Sequence, residues 1–561
     1  MIRSTNYDPI SDPAYKAPRK VVSNKKKRSV LLTAVLTSVI MLLCMQLLVP
    51  GSLAFEHSRK TNKKNVIFFV TDGMGPTSLS LARSYRQFKY NLPYNDVLTL
   101  DKHLIGSSRT RSSDSLVTDS AAGATAFACA LKTYNGAIGI YPDTQPCGTI
   151  LESAKLNGYM TGLVVTTRIT DATPASFSAH VNMRSQEDQI ALQQLGHYVL
   201  GNMVDLMIGG GRTHFYSGEV ESLNITNGAR KDGRNLITES IENGWQYAGN
   251  KKEFDSLDGG KNVSLPLLCL LADDNIPFDV DRDENEFPSI KEQAMVAINA
   301  LHEGTKDSEE GFFLMIEGSR IDHAGHNNDP AAQVREVLAF DEAFKAIIDY
   351  ADSSDVDTII LSTSDHETGG LVAARQNEKD MIEYLWYPEI LDNAKHSGEY
   401  LAQKISTFYK SNSLNSDKDD VNKSKSNFIK HEILEKELNI KDYTKEDIAE
   451  LLSYGNDFMS IHYKLNDMVS MRAHVGWSTH GHSAVDVNIY AYSNNRQLWH
   501  DILDHLQGNH ENIEIGTYMA KIMNLDLEKV TDLVKDVEHD PPKDFVSDLS
   551  AYVDQYHHKV I

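Results

Sequence analysis

The sequence predicts an α/β protein: a three-layer α/β/α domain with a central, mostly parallel sheet, preceded by one transmembrane helix. Several short apolar runs end in polar or glycine-rich residues, which is typical of buried parallel strands. Helical patterns lie between these runs and favour helices on both faces of one sheet. An uncharged apolar run near the N-terminus predicts the transmembrane helix.

The first element is this apolar run, Ser29–Val49, which follows a basic cluster at Arg19–Arg28. Its roughly 20 residues, at about 1.5 Å each in a helix, match a hydrocarbon core of about 30 Å. A cleaved signal peptide would have a shorter apolar region and a small-x-small cleavage site, so we expect an uncleaved anchor. The basic cluster should stay in the cytoplasm, which predicts a single-pass type II membrane protein whose residues from about Gly51 onward lie in a lumen or outside the cell.

The composition indicates the organisation of the whole chain. The residues 411–427 are rich in Ser, Asn, Lys and Asp and are predicted to be a mobile surface insertion. Glycosylation sequons at Asn224, Asn262 and Asn422 all fall on the predicted lumenal side. We expect a cytoplasmic tail at 1–28, the anchor at 29–49, a linker at 50–63, a lumenal domain at 64–530 and a C-terminal tail at 531–561.

The predicted strands of the lumenal domain each precede a residue with a possible chemical role. Because the carboxyl ends of parallel strands meet at one edge of a sheet, the residues after them should lie along that edge. These residues are Asp72, Asp171, Glu317 and Asp365. The strands are Asn65–Thr71, Met160–Thr167, Gly311–Ile316 and Thr358–Ser362.

Further elements are predicted between and after these strands. Helical patterns cover Leu151–Asn157 and Ala331–Ala351, and strands are expected at Val204–Ile208 and Val485–Tyr492. The glycine triplet at 209–211 is interpreted as a tight turn, because no phosphate-binding glycine spacing accompanies it.

The net charge of −23 makes the lumenal part strongly acidic, since the N-terminal tail is basic. An acidic surface repels nucleic acid backbones, and we expect no binding to them. Phosphate substrates are not excluded, because cations bound at a site can reverse the local field.

Four cysteines are few for a secreted protein, and Cys44 lies in the predicted membrane span. The other three would lie in an oxidising compartment, so one disulfide and one free thiol are expected. We expect Cys147 to pair with Cys269, because Cys129 lies on the helix after Ser120 and should be buried.

The run of small residues after Val117 places Ser120 at the start of a predicted helix. The free N–H groups and the dipole of a helix N-terminus favour an anion, as a nucleophile for phosphate requires. The alternative is that Asp119 and Ser120 only cap the helix. A set of residues of the types that zinc sites use favours the first interpretation: Asp72, Asp322, His326, Asp365, His366 and His482.

The motifs that contain these residues resemble the alkaline phosphatase family, in the family's order, from about Asn65 to Tyr492. The anchor and the acidic lumenal part are similar to the fungal vacuolar members, which implies a vacuole membrane location and a homodimer. The motifs are Asp72-Gly-Met-Gly75, Thr118-Asp-Ser-Ala-Ala122, Asp171-Ala-Thr-Pro-Ala175, Glu317-Gly318, Asp322-His-Ala-Gly-His326, Ser364-Asp-His366 and His482-Ser-Ala484.

The resemblance implies a metal-dependent phosphate monoesterase of broad specificity, acting on small phosphate monoesters and phosphopeptides through a phosphoserine at Ser120. Two zinc ions (Zn2+) and one magnesium ion (Mg2+) are implied. Asp322, His326 and His482 would hold the first zinc. Asp365, His366 and the bridging Asp72 would hold the second. Asp72, Thr173 and Glu317 would hold magnesium, with Asp171 contacting it through water; such all-oxygen ligands suit a hard cation.

Two residues of the implied site would contact the phosphate. Arg184 would bind it with its planar fork of donors, and His323 would lie beside it. The bacterial pattern has Asp and Lys at the positions of Asp171 and His323, whereas the mammalian pattern has His at both. This chain mixes the two, and a neutral imidazole would replace an ammonium beside the phosphate.

Several of these residues have other interpretations. Asp322 and His326, four positions apart, could be a solvated helix pair, and Arg184 could be a surface charge or part of a structural ion pair. His480 competes with His482 for one ligand position, and we prefer His482 for its distance to the following strand.

Two other functions compete with a phosphatase. A phosphodiesterase of the same superfold would use Thr as its nucleophile, and a sulfatase would need a modified Cys or Ser before x-Pro-x-Arg. The segment Ser120-Ala-Ala-Gly123 fits neither. The intact ligand set argues against the second alternative, an inactive membrane-anchored binding protein.

Overall fold

The computed structural model describes residues 63–220, 225–412 and 418–537. No helix in these ranges is both long and apolar enough to span a bilayer. The cytoplasmic tail, the expected anchor at 29–49, Asn224 and residues 538–561 lie outside the described residues.

The described strands are short and are spread over the whole domain. They are β1 (Lys64–Val70), β2 (Leu104–Arg109), β3 (Met160–Arg168), β4 (Leu206–Gly210), β5 (Ser217–Val220), β6 (Ile225–Ala229), β7 (Gln246–Ala248), β8 (Leu267–Leu270), β9 (Phe312–Glu317), β10 (Asp357–Thr363), β11 (Glu367–Thr368), β12 (Val372–Ala373), β13 (Val475–Gly476), β14 (His482–Ser483), β15 (Val487–Ser493) and β16 (Gly508–Glu511).

The helices alternate with the strands along the chain. They are α1 (Pro76–Lys89), α2 (Thr99–His103), α3 (Ser120–Cys129), α4 (Ile150–Leu156), α5 (Ala172–Ser178), α6 (Glu187–Gln194), α7 (Leu236–Glu242), α8 (Lys251–Asp255), α9 (Ile290–Gly304), α10 (Arg320–His326), α11 (Pro330–Ser353), α12 (Pro388–Asn393), α13 (Gly398–Asn412), α14 (Lys418–Asn427), α15 (Lys445–Ser453), α16 (Phe458–Ala473), α17 (Arg496–Leu506), α18 (Asn512–Ile522) and α19 (Leu527–Val534), with 3₁₀ turns at Arg212–Phe215 and Asp258–Gly260 and a π-helical segment at Phe428–Glu437.

The central sheet orders its ten described strands as β16-β2-β15-β10-β1-β9-β3-β4-β8-β7. Every neighbouring pair is parallel except those of β15, which runs antiparallel to β10 and β2. The mostly parallel sheet is therefore confirmed. The predicted strands before Asp72, Asp171, Glu317 and Asp365 correspond to β1, β3, β9 and β10.

Helices cover both faces of the sheet. The strands have apolar side chains on both faces, and a helix layer on each face buries them. In β1, Ile67 and Phe69 pack into one apolar cluster while Val66 and Phe68 pack into another, as the alternation of side chains along a strand requires. The first cluster includes residues of α1, α9, α11 and α16, and the second includes residues of α3, α4, α17 and α18. The predicted three-layer arrangement follows.

The register of the strands aligns their carboxyl ends. Val70 of β1 pairs with Glu317 of β9 on one side and with Thr363 of β10 on the other. The loops that hold Asp72 and Asp365 therefore leave the sheet side by side, next to Glu317. This is the edge at which open α/β sheets bind ligands.

The predicted disulfide is wrong. Cys129 bonds to Cys147, with 6.1 Å between their Cα atoms, and Cys269 is a buried free cysteine. Cys129 and Cys147 belong to one apolar cluster, whereas Cys269, on β8, faces the other. The sheet thus separates Cys269 from Cys147, and burial of Cys129 at the end of α3 does not prevent its pairing.

Three details of the predicted organisation differ from the structure. Gly209 and Gly210 end β4, and Gly211 alone turns, with φ of 85°. Part of the expected insertion forms α14, and its residues 413–417 lie outside the description. The domain continues past 530, since Val534 and Val537 pack with Val530 in one apolar cluster. The sequon residues Asn262 and Asn422 are exposed.

Candidate active site

Ser120 is the first residue of α3, as predicted. Asp119 precedes it in extended conformation and caps the helix, its carboxylate accepting from Ala122 N at 3.0 Å. The cap is therefore Asp119, and the Ser120 hydroxyl remains directed at the site, with Oγ 3.0 Å from His366 Nε2. The small residues of α3 permit close packing: a Cβ on Gly123 would lie 2.9 Å from Asp365 Cβ.

Two groups of side chains at this edge have the geometry to hold metal ions. One consists of Asp322, His366 and His482, and the other of Asp72, Asp365 and His366; in each group the ligand atoms lie within 4.8 Å of one another. His366 belongs to both groups. The family resemblance implies that His366 holds the second zinc alone, whereas in the structure its ring nitrogen lies within reach of both groups.

His326 adjoins the first group. Its Nε2 lies 3.1 Å from His482 Nε2 and 3.3 Å from Asp322 Oδ2. Asp322, in the first turn of α10, and His326, its last residue, are both buried, so they do not form a solvated pair. The site therefore offers three imidazoles and several carboxylates within one buried cluster.

Backbone carbonyls orient two of these imidazoles. His326 Nδ1 donates to His480 O at 2.5 Å, and His482 Nδ1 donates to Thr118 O at 2.7 Å. Because a carbonyl only accepts, each Nδ1 holds the proton and each Nε2 presents a lone pair to the cluster. The competing His480 donates from Nδ1 to His326 O and stacks on Tyr463, with ring centroids 4.0 Å apart.

Two buried carboxyl groups at this edge, those of Asp72 and Glu317, have raised pKa values. Burial and the neighbouring Asp365 raise the pKa of Asp72 well above its ordinary value. Among the described residues, Asp72 Oδ1 has no hydrogen-bond partner. Burial also raises the pKa of Glu317 to about 8, although Ser319 donates to it at 2.6 Å. Burial thus favours the protonated form of both groups, and a cation bound beside them would favour the ionised form.

The types of donor agree with zinc and magnesium. Imidazole nitrogens with carboxylates suit zinc, and the oxygens of Asp72, Glu317 and Thr173 suit a hard cation. Thr173 is buried in the first turn of α5, beside Glu317.

Arg184 is buried and is not a surface charge. Its Nη2 donates to Asp171 Oδ1 at 2.9 Å, and its Nη1 lies 3.5 Å from Asp119 Oδ2. Its Nε has no hydrogen-bond partner within the described ranges. The guanidinium is thus fixed by an ion pair beside the residue that precedes Ser120.

Asp171 is held by two arginines. Arg168 Nη2 donates to Asp171 Oδ2 at 2.9 Å, and Arg184 donates to the other oxygen. Against the effect of burial, Arg168 and then Arg184 hold the pKa of Asp171 well below its ordinary value. Because both oxygens of Asp171 already accept from arginines, Asp171 would contact a metal ion through water, as the resemblance implies.

His323 is a neutral imidazole. Arg320 Nε donates to its Nδ1 at 3.3 Å, so the ring proton lies on Nε2. Burial, with the charge of Arg320, lowers the pKa of His323 to about 3. His323 therefore has no positive charge at neutral or alkaline pH.

Some contacts of the site were not predicted from the sequence. Arg168 binds Asp171, Glu187 and Asp274 together. Thr368 contacts both Asp322 and His366. A signal for Thr368 existed: it lies two residues after His366, and residues two apart in an extended segment share a face.

The comparisons with known proteins agree with this geometry. A family model described as alkaline phosphatase matches residues 63–525. The chain belongs to the alkaline phosphatase family. It is 56% identical to the repressible alkaline phosphatase of Saccharomyces cerevisiae, over 99% of this chain and 98% of that protein. The predicted phosphatase activity is confirmed at the level of the family, and the rival superfold activities have no support.

Solved alkaline phosphatases share the fold. The cold-active enzyme of Shewanella sp. is 26% identical, with a TM-score of 0.65, over 82% of this chain and 99% of that one. A histidine-to-aspartate variant of the enzyme of the Antarctic bacterium TAB5, with magnesium bound in its M3 site, is also 26% identical, with a TM-score of 0.53, over 83% and 99%.

Proposed function

We propose that this alkaline phosphatase hydrolyses a broad range of small phosphate monoesters, phosphopeptides included, through a phosphoserine at Ser120. The observation that supports it best is the position of the Ser120 hydroxyl, at a helix N-terminus and 3.0 Å from His366 Nε2. His366 belongs to both groups of candidate metal ligands. At this position the helix N-terminus and bound metal ions would supply the positive charge that stabilises a phosphate dianion beside Ser120.

The proposed metal content is two zinc ions and one magnesium ion. Asp322, His326 and His482 would hold one zinc, and Asp365, His366 and Asp72 the other. Asp72, Thr173 and Glu317 would hold magnesium, with Asp171 linked through water. When bound, these cations supply the positive charge that offsets the phosphate and the leaving oxygen. A solved variant of the TAB5 alkaline phosphatase holds magnesium in its M3 site, which supports a magnesium site in this family.

The residues of the chain have distinct tasks in the proposed reaction. Arg184, fixed by Asp119 and Asp171, binds phosphate oxygens with its remaining donors. Ser120 Oγ loses its proton to solvent water and attacks phosphorus in line, and the bond between phosphorus and the alcohol oxygen breaks as the new ester forms. The alcohol leaves with a proton from water. A second water then hydrolyses the phosphoserine and restores Ser120.

The test is hydrolysis of p-nitrophenyl phosphate by the purified full chain. We expect activity that rises into alkaline pH, is lost on chelation and returns with zinc. The sulfate ester and the bis(p-nitrophenyl) diester are matched controls for a sulfatase and a phosphodiesterase. A zinc-loaded chain that is inert towards the monoester between about pH 8 and 10 would contradict the proposal.

The membrane topology is a separate proposal based on the sequence alone. We propose that Ser29–Val49 is an uncleaved type II anchor that places the catalytic domain in the lumen of the vacuole. Glycosylation at Asn224, Asn262 and Asn422 would follow from this location. Digestion of intact vesicles should spare the domain and remove only the N-terminal tail; digestion of the domain would overturn the topology.

A homodimer is proposed on the family resemblance. Sedimentation of the detergent-solubilised chain at micromolar concentration should give twice the mass of one chain. A stable monomer would overturn this assignment without affecting the phosphatase assignment.

A further inference from the structure

The buried threonine Thr368 contacts members of both candidate metal groups. Its Oγ1 lies 2.5 Å from Asp322 Oδ1 and 3.2 Å from His366 Nδ1. In the short antiparallel ribbon of β11 and β14, Thr368 pairs directly with His482. It thus adjoins all three members of the group Asp322, His366 and His482.

The single hydroxyl proton determines the direction of these bonds. An ionised carboxylate only accepts, so Thr368 donates to Asp322. Its oxygen then accepts from the Nδ1 proton of His366, which leaves the Nε2 lone pair of His366 directed at Ser120 Oγ, 3.0 Å away. One hydroxyl therefore orients a carboxylate and sets the tautomer of the shared imidazole.

The protein leaves this hydroxyl little freedom to rotate. Thr368 is fully buried. A Cβ on Gly73 would lie 2.9 Å from Thr368 Oγ1, and one on Gly325 would lie 2.9 Å from its Cβ and Cγ2. These glycines pack directly against the threonine, and a β-branched side chain has few rotamers. Packing of Gly73 and Gly325 against Thr368 therefore holds its hydroxyl in place beside Asp322 and His366.

We propose that Thr368 is a positioning residue that holds Asp322 and His366 in the geometry needed to bind zinc, and so raises zinc affinity at both groups. The proposal rests on the proposed function, since it requires that these residues bind zinc. Partners that orient metal ligands in this way typically contribute about 10- to 100-fold in metal affinity.

The test compares three variants of the metal-free full chain in a zinc titration against a chromophoric chelator. Thr368→Val keeps the shape and removes the hydroxyl, and should weaken zinc binding by about 10- to 100-fold. Thr368→Ser keeps the hydroxyl and should recover most of the affinity. Thr363→Val is the matched control, because that buried hydroxyl donates to the backbone carbonyls of Ser364 and Asn488 and has no other hydrogen bond among the described residues.

The outcomes separate the two claims. Failure of the unaltered chain to bind zinc would overturn the proposed function. Zinc binding by Thr368→Val equal to that of the unaltered chain would overturn the role of Thr368 alone. An equal loss in Thr363→Val would assign the effect to general destabilisation and would also overturn it. If Thr368→Val does not fold, Thr368→Ser together with Thr368→Ala decides, since recovery by serine alone requires the hydroxyl.

Discussion

At the scale of single residues, Ser120 and His326 have separable roles. Ser120→Ala removes the nucleophile and leaves the ligand set intact, so activity should fall by at least about 10³-fold while zinc stays bound. His326→Ala removes an imidazole whose Nε2 faces the cluster, so zinc and activity should fall together. Metal content and turnover of both variants check this. Zinc loss in Ser120→Ala, or full zinc retention in His326→Ala, would contradict the assignment.

His323 should govern how firmly the site holds product phosphate. Because its imidazole is neutral, it attracts phosphate less than an ammonium would. His323→Lys should tighten phosphate inhibition by about tenfold, the effect of one charge-assisted hydrogen bond. Turnover should also fall if product release is limiting. The inhibition constant for phosphate measures this; an unchanged constant would mean that His323 faces away from the phosphate.

The sequence was informative about individual residues where their types were chemically restrictive. Aspartates and histidines after predicted strands gave a ligand set that the structure gathers at one edge of the sheet. The contact of Thr368 with Asp322 and the ion pair of Arg168 with Asp274 were not found, because each joins residues far apart in the chain. Such contacts depend on the folded geometry and not on a local pattern.

At the scale of elements, α11 contains a glutamate that opposes stability at alkaline pH. Glu336 is buried and accepts from Asp279 N at 2.5 Å. Burial and the charge of Asp279 raise its pKa to about 8 from an ordinary value of 4.5. The folded state therefore keeps a proton that the unfolded state has lost, and stability falls as pH rises through that window.

Glu336→Gln removes this dependence and keeps an oxygen acceptor for Asp279 N. At about pH 9 its thermal midpoint should exceed that of the unaltered chain by about 2 °C or more, with little difference at about pH 5. The exposed Glu342→Gln on the same helix is the control. An equal shift of Glu336→Gln at both pH values would show that titration of Glu336 is not the cause.

The elements that the sequence predicted were those with strong apolar patterns. β1, β3, β9 and β10 are almost fully buried, and each contains an apolar run of three or more residues. The antiparallel direction of β15 and the pairing of Cys129 with Cys147 were not predictable. Both depend on which elements become neighbours, and periodicity along the chain does not specify neighbours.

At the scale of the whole molecule, an acidic chain surrounds a site that needs cations. The net charge is −23, and the site adds buried carboxylates such as Asp72 and Glu317. Long-range charge therefore does not attract phosphate, and the attraction must come from bound cations, Arg184 and the N-terminus of α3. The composition established the charge of the domain, whereas the fold determines where that charge is reversed.

The measurement that tests the central claim most directly is the trapping of phosphate on the enzyme. The zinc-loaded full chain is incubated with labelled phosphate at acidic pH, where hydrolysis of a phosphoserine should be slow, and is then denatured and digested. The account predicts label on the peptide that contains Ser120 and none in Ser120→Ala. Label on any other residue, or unchanged labelling of Ser120→Ala, would contradict it.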